Sequence, residues 1–243
     1  MSRKTSLKQF LMKTGRFSRA DEATEAIRKG KITLNGLPVI NPNYFFNPKK
    51  SIVKIENEKL KPIKKLYFIL NKPKGHLCQK SMDEKSVYDI ISKLKLPPEQ
   101  ILSLFSVGRL DRDTEGLLII TNDGRLSDSV MQPSNKITKK YNVMLEKEIN
   151  KKQIRKLENG VIIKVNNRSY KTKPTKILPL GKRKLQISIE EGKKKQIRKM
   201  FETLGYEVIH LNRISIGSLQ LKHLKIGQIK QINRSEIMDK LGI

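Results

Sequence analysis

The sequence contains one cysteine, Cys78, and no tryptophan. A disulfide framework and a cysteine-rich zinc site are therefore excluded. No apolar run reaches the roughly 18 residues that suggest a membrane span. The basic start MSRKTSLKQFLMKTGR is broken too often by polar residues for a signal-peptide core. A soluble cytoplasmic protein is expected. Neither a Walker-type phosphate loop nor a GxGxxG pattern occurs, so nucleotide-triphosphate and dinucleotide chemistry have no anchor. His76, His210 and His223 are scattered without ligand spacing, and no metal site is expected. Acidic residues are scarce: 23 Asp and Glu stand against 52 Lys and Arg, a formal charge of +29. Such an excess makes the compact state repel itself and points to a polyanionic partner, a nucleic acid. Ile and Leu are spread along the whole chain, which argues against global disorder.

The first sixty residues read as a unit. Leu7, Phe10 and Leu11 have the spacing of one helix face. Ser18 precedes a second apolar stripe, Ala20, Ala23, Ala26 and Ile27, with Asp21 as a weak capping-box partner and Gly30 as the stop. Asn35-Gly36 between apolar runs predicts a tight hairpin, and Ile52, Val53 and Ile55 a further strand. Helix, helix and hairpin leave a basic face carrying Arg3, Arg16, Arg19, Arg28 and Lys31. Cations held on a rigid scaffold suit phosphate groups, each displacing a counterion. Residues 56–65, ENEKLKPIKK, read as a linker, which places domains at 1–60 and 61–243.

The second part is rich in strand patterns. Leu66 to Leu70 and Gly116 to Asn122 read as buried strands, and Tyr141/Val143/Leu145 and Leu185/Ile187/Ile189 alternate. Ile197, Met200, Phe201 and Leu204 form a helical stripe, followed by a strand from Val208 to Ile216. Many strands with few intervening helices predict an α+β fold with a mixed, largely antiparallel sheet.

The chemistry concentrates in GRLDRDTEGLLIITNDG, Gly108 to Gly124. As a calcium loop it fails, because Asn122 stands where a bidentate Glu is needed. As a carboxylate-metal nuclease it lacks a completing Asp/His cluster. A single reactive Asp on a loop before a buried strand fits, with Arg109 and Arg112 beside Asp111 favouring the charged carboxylate. On residue types alone, a charged turn with local salt bridges fits equally well.

The segment FLMKTGRFSRADEATEAIRKGKITLNGLPV resembles the RNA-binding domain first described in ribosomal protein S-four. By that resemblance Arg16, Ser18, Arg19, Arg28 and Lys31 contact RNA. GRLDRDTEGLLIITNDG resembles the signature of the RsuA-type ribosomal RNA pseudouridine synthase family. Three further stretches agree in order: NKPKG at 71–75, KKY at 139–141 after Pro133, and EEGKKKQIRKMFETLGYEVIHLNRISIG at 190–217. Together the motifs span nearly the whole chain. The departures are small: His76 stands where Tyr or Val is common, and three lysines precede Gln196.

The resemblance implies an enzyme that isomerises uridine to pseudouridine in RNA, above all ribosomal RNA, without cofactor or metal; a monomer is expected. It assigns the essential carboxylate to Asp111, its basic ion partner to Arg198 and a uracil-stacking ring to Tyr141. Lys139 is expected to support phosphate binding or the fold. Arg109, Arg112, Lys193, Lys194 and Lys195 are expected on phosphates. The target base must be flipped out, and stacking on an aromatic face offsets part of the cost. The competing reading is a non-catalytic RNA-binding or ribosome-assembly factor, which would tolerate Asp111→Asn.

Overall fold

The computed structural model describes residues 4–17 and 19–243. The chain divides into two compact units, residues 1–66 with 91–105 and residues 67–90 with 106–243. Ser18 and Arg3, both named above as phosphate contacts or cap, lie outside the described residues.

In the first unit the helix Leu7–Met12 buries Leu7, Phe10 and Leu11, as their spacing requires. Its N-terminus is capped by Ser6, whose Oγ accepts from Gln9 N. The second helix, Ala20–Arg28, starts from Arg19 as its cap, and Glu22 Oε2 accepts from the Arg19 backbone N–H at 3.3 Å. Ile32–Leu34 and Leu37–Pro38 form the hairpin, with Asn35 at φ 52° and Gly36 at φ 91°. Both turn residues thus take the positive φ that a type I′ turn needs. The expected linker is in part a strand. Glu56 and Asn57 turn with positive φ, and Glu58–Lys59 pairs with Val53–Ile55. Pattern reading missed it because two residues of strand carry no period. The core joins both helices to this sheet, with Phe10 and Phe46 edge to face at 5.3 Å.

Among the described residues of the second unit lies a nine-stranded sheet. Its main path runs Lys176–Pro179, Lys184–Ile189, Lys139–Leu145, Val208–Ile216, Glu115–Thr121, Tyr67–Lys72 and Ile229–Gln231. Along this path the pairing of Val208–Ile216 with Glu115–Thr121 is parallel and the others are antiparallel. Tyr67–Lys72 is buried at every position, and Glu115–Thr121 at all but the first. Central strands covered on both faces read as continuous apolar runs, which is why these two stood out in the sequence. The helices Gly124–Met131 and Arg234–Leu241 bring Leu126, Val130, Ile237 and Leu241 into one core with the sheet residues Ile69, Leu117 and Ile119. Fully burying each such side chain contributes about 1.5–3 kcal/mol.

Two register facts position the site. Gly116 lies opposite Arg213 in the parallel pair. Tyr141 lies opposite Arg213 in the antiparallel pair, just past a bulge. Gly116 has φ +108°, and a Cβ there would sit 2.2 Å from Asn212 Oδ1 and 2.3 Å from Arg213 O. A glycine is what lets these strands close at that point.

Candidate active site

Asp111 sits on the loop between Val107 and Glu115, half-buried. The loop is gripped from beneath by Lys72. This lysine has no exposed surface, and its Nζ donates to the carbonyl oxygens of Asp111, Arg112 and Thr114 at 3.2, 3.2 and 2.8 Å. Burial pushes its pKa below the usual lysine range. The Gly75 N–H donates to Arg112 O at 2.8 Å, so Lys72 and Gly75 of NKPKG hold the same loop. Leu110 N donates to Cys78 Sγ at 3.2 Å, which gives this thiol a structural place beside the loop.

The loop walls a cavity of about 390 Å³. Tyr141 and Arg213 line it from neighbouring strands, and both are at least nine-tenths buried. Lys139 lines it as well; burial first, then the Arg213 charge, pushes the Lys139 ammonium below its ordinary value. Lys193, Lys194 and Lys195 line it from an exposed stretch, the loop before the helix Gln196–Glu202. That loop is fixed by Gln196, which accepts from Lys193 N and donates to Glu191 Oε1. Arg109 and Arg112 complete the lining, and Arg112 also pairs with Glu84 at 2.6 Å. Asp111 is the one carboxylate among the lining residues; the other charged groups are all cations. A cavity of this kind draws in an anionic polymer while keeping one acid for chemistry.

The structure therefore brings together Asp111, Tyr141, Arg109, Arg112, Lys139 and Lys193 to Lys195. It does not place Arg198 with them. The expected ion pair between Arg198 and Asp111 does not form among the described residues. The Arg198 guanidinium instead donates from Nη1 to Val208 O at 2.5 Å and from Nη2 to Asp113 O at 3.0 Å. Two backbone carbonyls lie closer to its fork than the carboxylate does. Glu115, at the start of the strand after the loop, pairs with His210 at 2.8 Å. In the first unit Arg16, Arg19, Arg28 and Lys31 are exposed. Arg19 is held by Asp21, and Arg16 lies 3.8 Å from Glu58.

Sequence reasoning passed over Lys72 and Arg213. Each had a signal. Lys72 ends a strand that is otherwise apolar up to Asn71, and Arg213 falls on the same phase of its strand as the buried Leu211 and Ser215. A charge on a buried phase marks a paired or functional group.

Residues 66–203 match the family model described as RNA pseudouridylate synthase. The chain is 33% identical over 233 residues to an uncharacterized RNA pseudouridine synthase of Aquifex aeolicus, covering 95% of this chain and 91% of that one. It is 33% identical over 222 residues to the ribosomal large subunit pseudouridine synthase B of Bacillus subtilis, covering 89% and 87%. A crystal structure of a pseudouridylate synthase aligns with a TM-score of 0.68 at 29% identity, over 97% of this chain and 99% of that one. The chain belongs to the RNA pseudouridine synthase family. It is an enzyme that isomerises uridine to pseudouridine in RNA, and the non-catalytic reading falls.

Proposed function

We propose that this enzyme modifies ribosomal RNA with Asp111 as its reacting carboxylate. The observation that carries the assignment is that Asp111 is the one carboxylate in a cavity whose other charged lining groups are all cations. The ribosomal substrate is supported by the name of the Bacillus subtilis relative. The flipped uridine enters beside Tyr141, whose ring stacks on the base at about 1–3 kcal/mol. Lys72 and Arg198 act on Asp111 through the backbone of its loop, at Asp111 O and Asp113 O. The exposed Lys193, Lys194, Lys195, Arg109 and Arg112 take phosphates, with Lys139 deeper in the same wall.

The first unit is read as an RNA-binding domain of the ribosomal protein S-four type, using Arg16, Arg19, Arg28 and Lys31. The protein works as a cytoplasmic monomer; among the described residues no helix is long and apolar enough to cross a membrane. The test is pseudouridine mapping of ribosomal RNA from cells with and without the gene, and from cells carrying Asp111→Asn. A ribosomal site lost in both strains supports the proposal. A site retained with Asp111→Asn removes Asp111, and unchanged ribosomal RNA beside a lost transfer RNA site removes the substrate.

A further inference from the structure

Arg213 is 4% exposed in the wall of the cavity that holds Asp111 and Tyr141. Its Nε donates to Leu117 O at 2.7 Å and its Nη1 to the Tyr141 hydroxyl at 3.5 Å. Its Nη2 is buried and has no partner. A brace between Leu117 and Tyr141 would need only the first two nitrogens. The remaining donor belongs to a cation fixed in place before any substrate arrives.

We propose that Arg213 touches the target uracil and stabilises the negative charge the base gains as it leaves the ribose. This inference rests on the reading of Asp111 and Tyr141 as the reacting centre. In the isomerisation the C1′–N1 bond breaks and its electron pair departs on the uracil. The C1′–C5 bond then forms with a pair from the uracil ring, the hydrogen on C5 leaves as a proton, and N1 takes up a proton. Whichever way the carboxylate engages the ribose, the base passes through an anionic state spread over N1 and its carbonyl oxygens. A preorganised donor in a site shielded from water acts most strongly on charge that develops only in the transition state. The exposed lysines of the rim suit phosphates, which stay hydrated. The buried guanidinium at the Tyr141 hydroxyl suits the planar base, which has two carbonyl acceptors.

The test is single-turnover cleavage of the C1′–N1 bond in RNA carrying either uridine or 5-fluorouridine at the mapped target. Fluorine withdraws electrons and makes the base a better leaving group, so it needs less help from the enzyme. Arg213→Met is expected to slow uridine turnover about 100-fold while RNA affinity stays within about twofold, and to slow the fluorinated substrate only about tenfold. Arg213→Lys keeps the charge and is expected to recover part of the rate on both. Equal slowing on both substrates would mean a purely structural brace and would overturn the inference, as would a wild-type rate for Arg213→Met. If Arg213→Met does not fold, Arg213→Gln and Arg213→Lys are judged by the same ratio between substrates. Asp111→Asn is run alongside. An inactive Asp111→Asn with equal penalties at Arg213 sinks only this inference, whereas an active Asp111→Asn sinks the reading beneath it.

Discussion

The ammonium of Lys72 donates to the carbonyl oxygen of Thr114 at 2.8 Å, across 42 residues of sequence and with no exposure to solvent. The same nitrogen holds the carbonyls of Asp111 and Arg112. It therefore sets where the Asp111 loop sits. Lys72→Met removes the donor while keeping most of the volume. Turnover should fall about 100-fold, the usual consequence of displacing a reacting group by about 1 Å. RNA affinity should stay within about twofold, because the exposed cations of the rim are untouched. Single-turnover kinetics beside a binding titration checks this; equal loss of both would make Lys72 a binding residue.

Tyr67 should give the protein an alkaline limit. Its hydroxyl donates to Asp123 Oδ2 at 2.9 Å in the core of the second unit. Burial, and then that hydrogen bond, push its pKa from 10.0 up to about 12. A folded-state value above the unfolded one gives stability that is full below about pH 10 and lost as pH rises through about 12. The contribution is about 3 kcal/mol, from a shift of about two units. Thermal unfolding of wild type and Tyr67→Phe between pH 8 and pH 12 tests it. The wild type should lose its advantage across that window, and the difference between the two should be flat below it.

Gly116 and Gly124 should respond oppositely to alanine. At Gly116 the new Cβ would meet the backbone of Arg213, at 2.3 Å from its oxygen, with φ at +108°. Gly116→Ala should cost about 4 kcal/mol or more, the range of severe core clashes. Gly124 opens the helix Gly124–Met131, and a Cβ there meets nothing within 4 Å. Gly124→Ala should stabilise by about 0.4–1 kcal/mol through the unfolded chain. Chemical denaturation of both variants reads the signs directly.

RNA binding should weaken steeply with salt. The formal charge of +29 and the exposed cations of the cavity rim motivate this. With roughly 6–10 phosphates neutralised, log K should fall against log salt with a slope of about −0.7 per phosphate on single strands. Replacing Lys194 by Gln should reduce the slope by about one phosphate's share. A binding constant that is flat in salt would contradict the electrostatic account.

Local pattern was legible wherever a residue's neighbours in sequence are also its neighbours in space. Leu7, Phe10 and Leu11 lie on one face because a helix places them there, and all three are buried. Asn35-Gly36 turns because few other pairs accept positive φ twice. The same reasoning failed at ENEKLKPIKK, where Glu58–Lys59 owes its strand to pairing with Val53–Ile55 and not to any pattern of its own. It also failed at Arg198, because a long flexible side chain can reach several acceptors and only packing selects among them.

By itself the sequence determined the polyanionic partner, the two long buried strands and the segment that carries Asp111. These follow from charge count, hydrophobic periodicity and motif order, which are properties of the chain read in one dimension. Only the tertiary structure decided what surrounds Asp111. Tyr141 and Arg213 are neighbours because their strands pair across 72 residues, and the Arg213 strand lies against Glu115–Thr121 because Gly116 admits it. Lys72 finds the loop carbonyls across 39 to 42 residues. Such contacts depend on register and on the direction of side chains across a sheet, and no local spacing in the sequence encodes either.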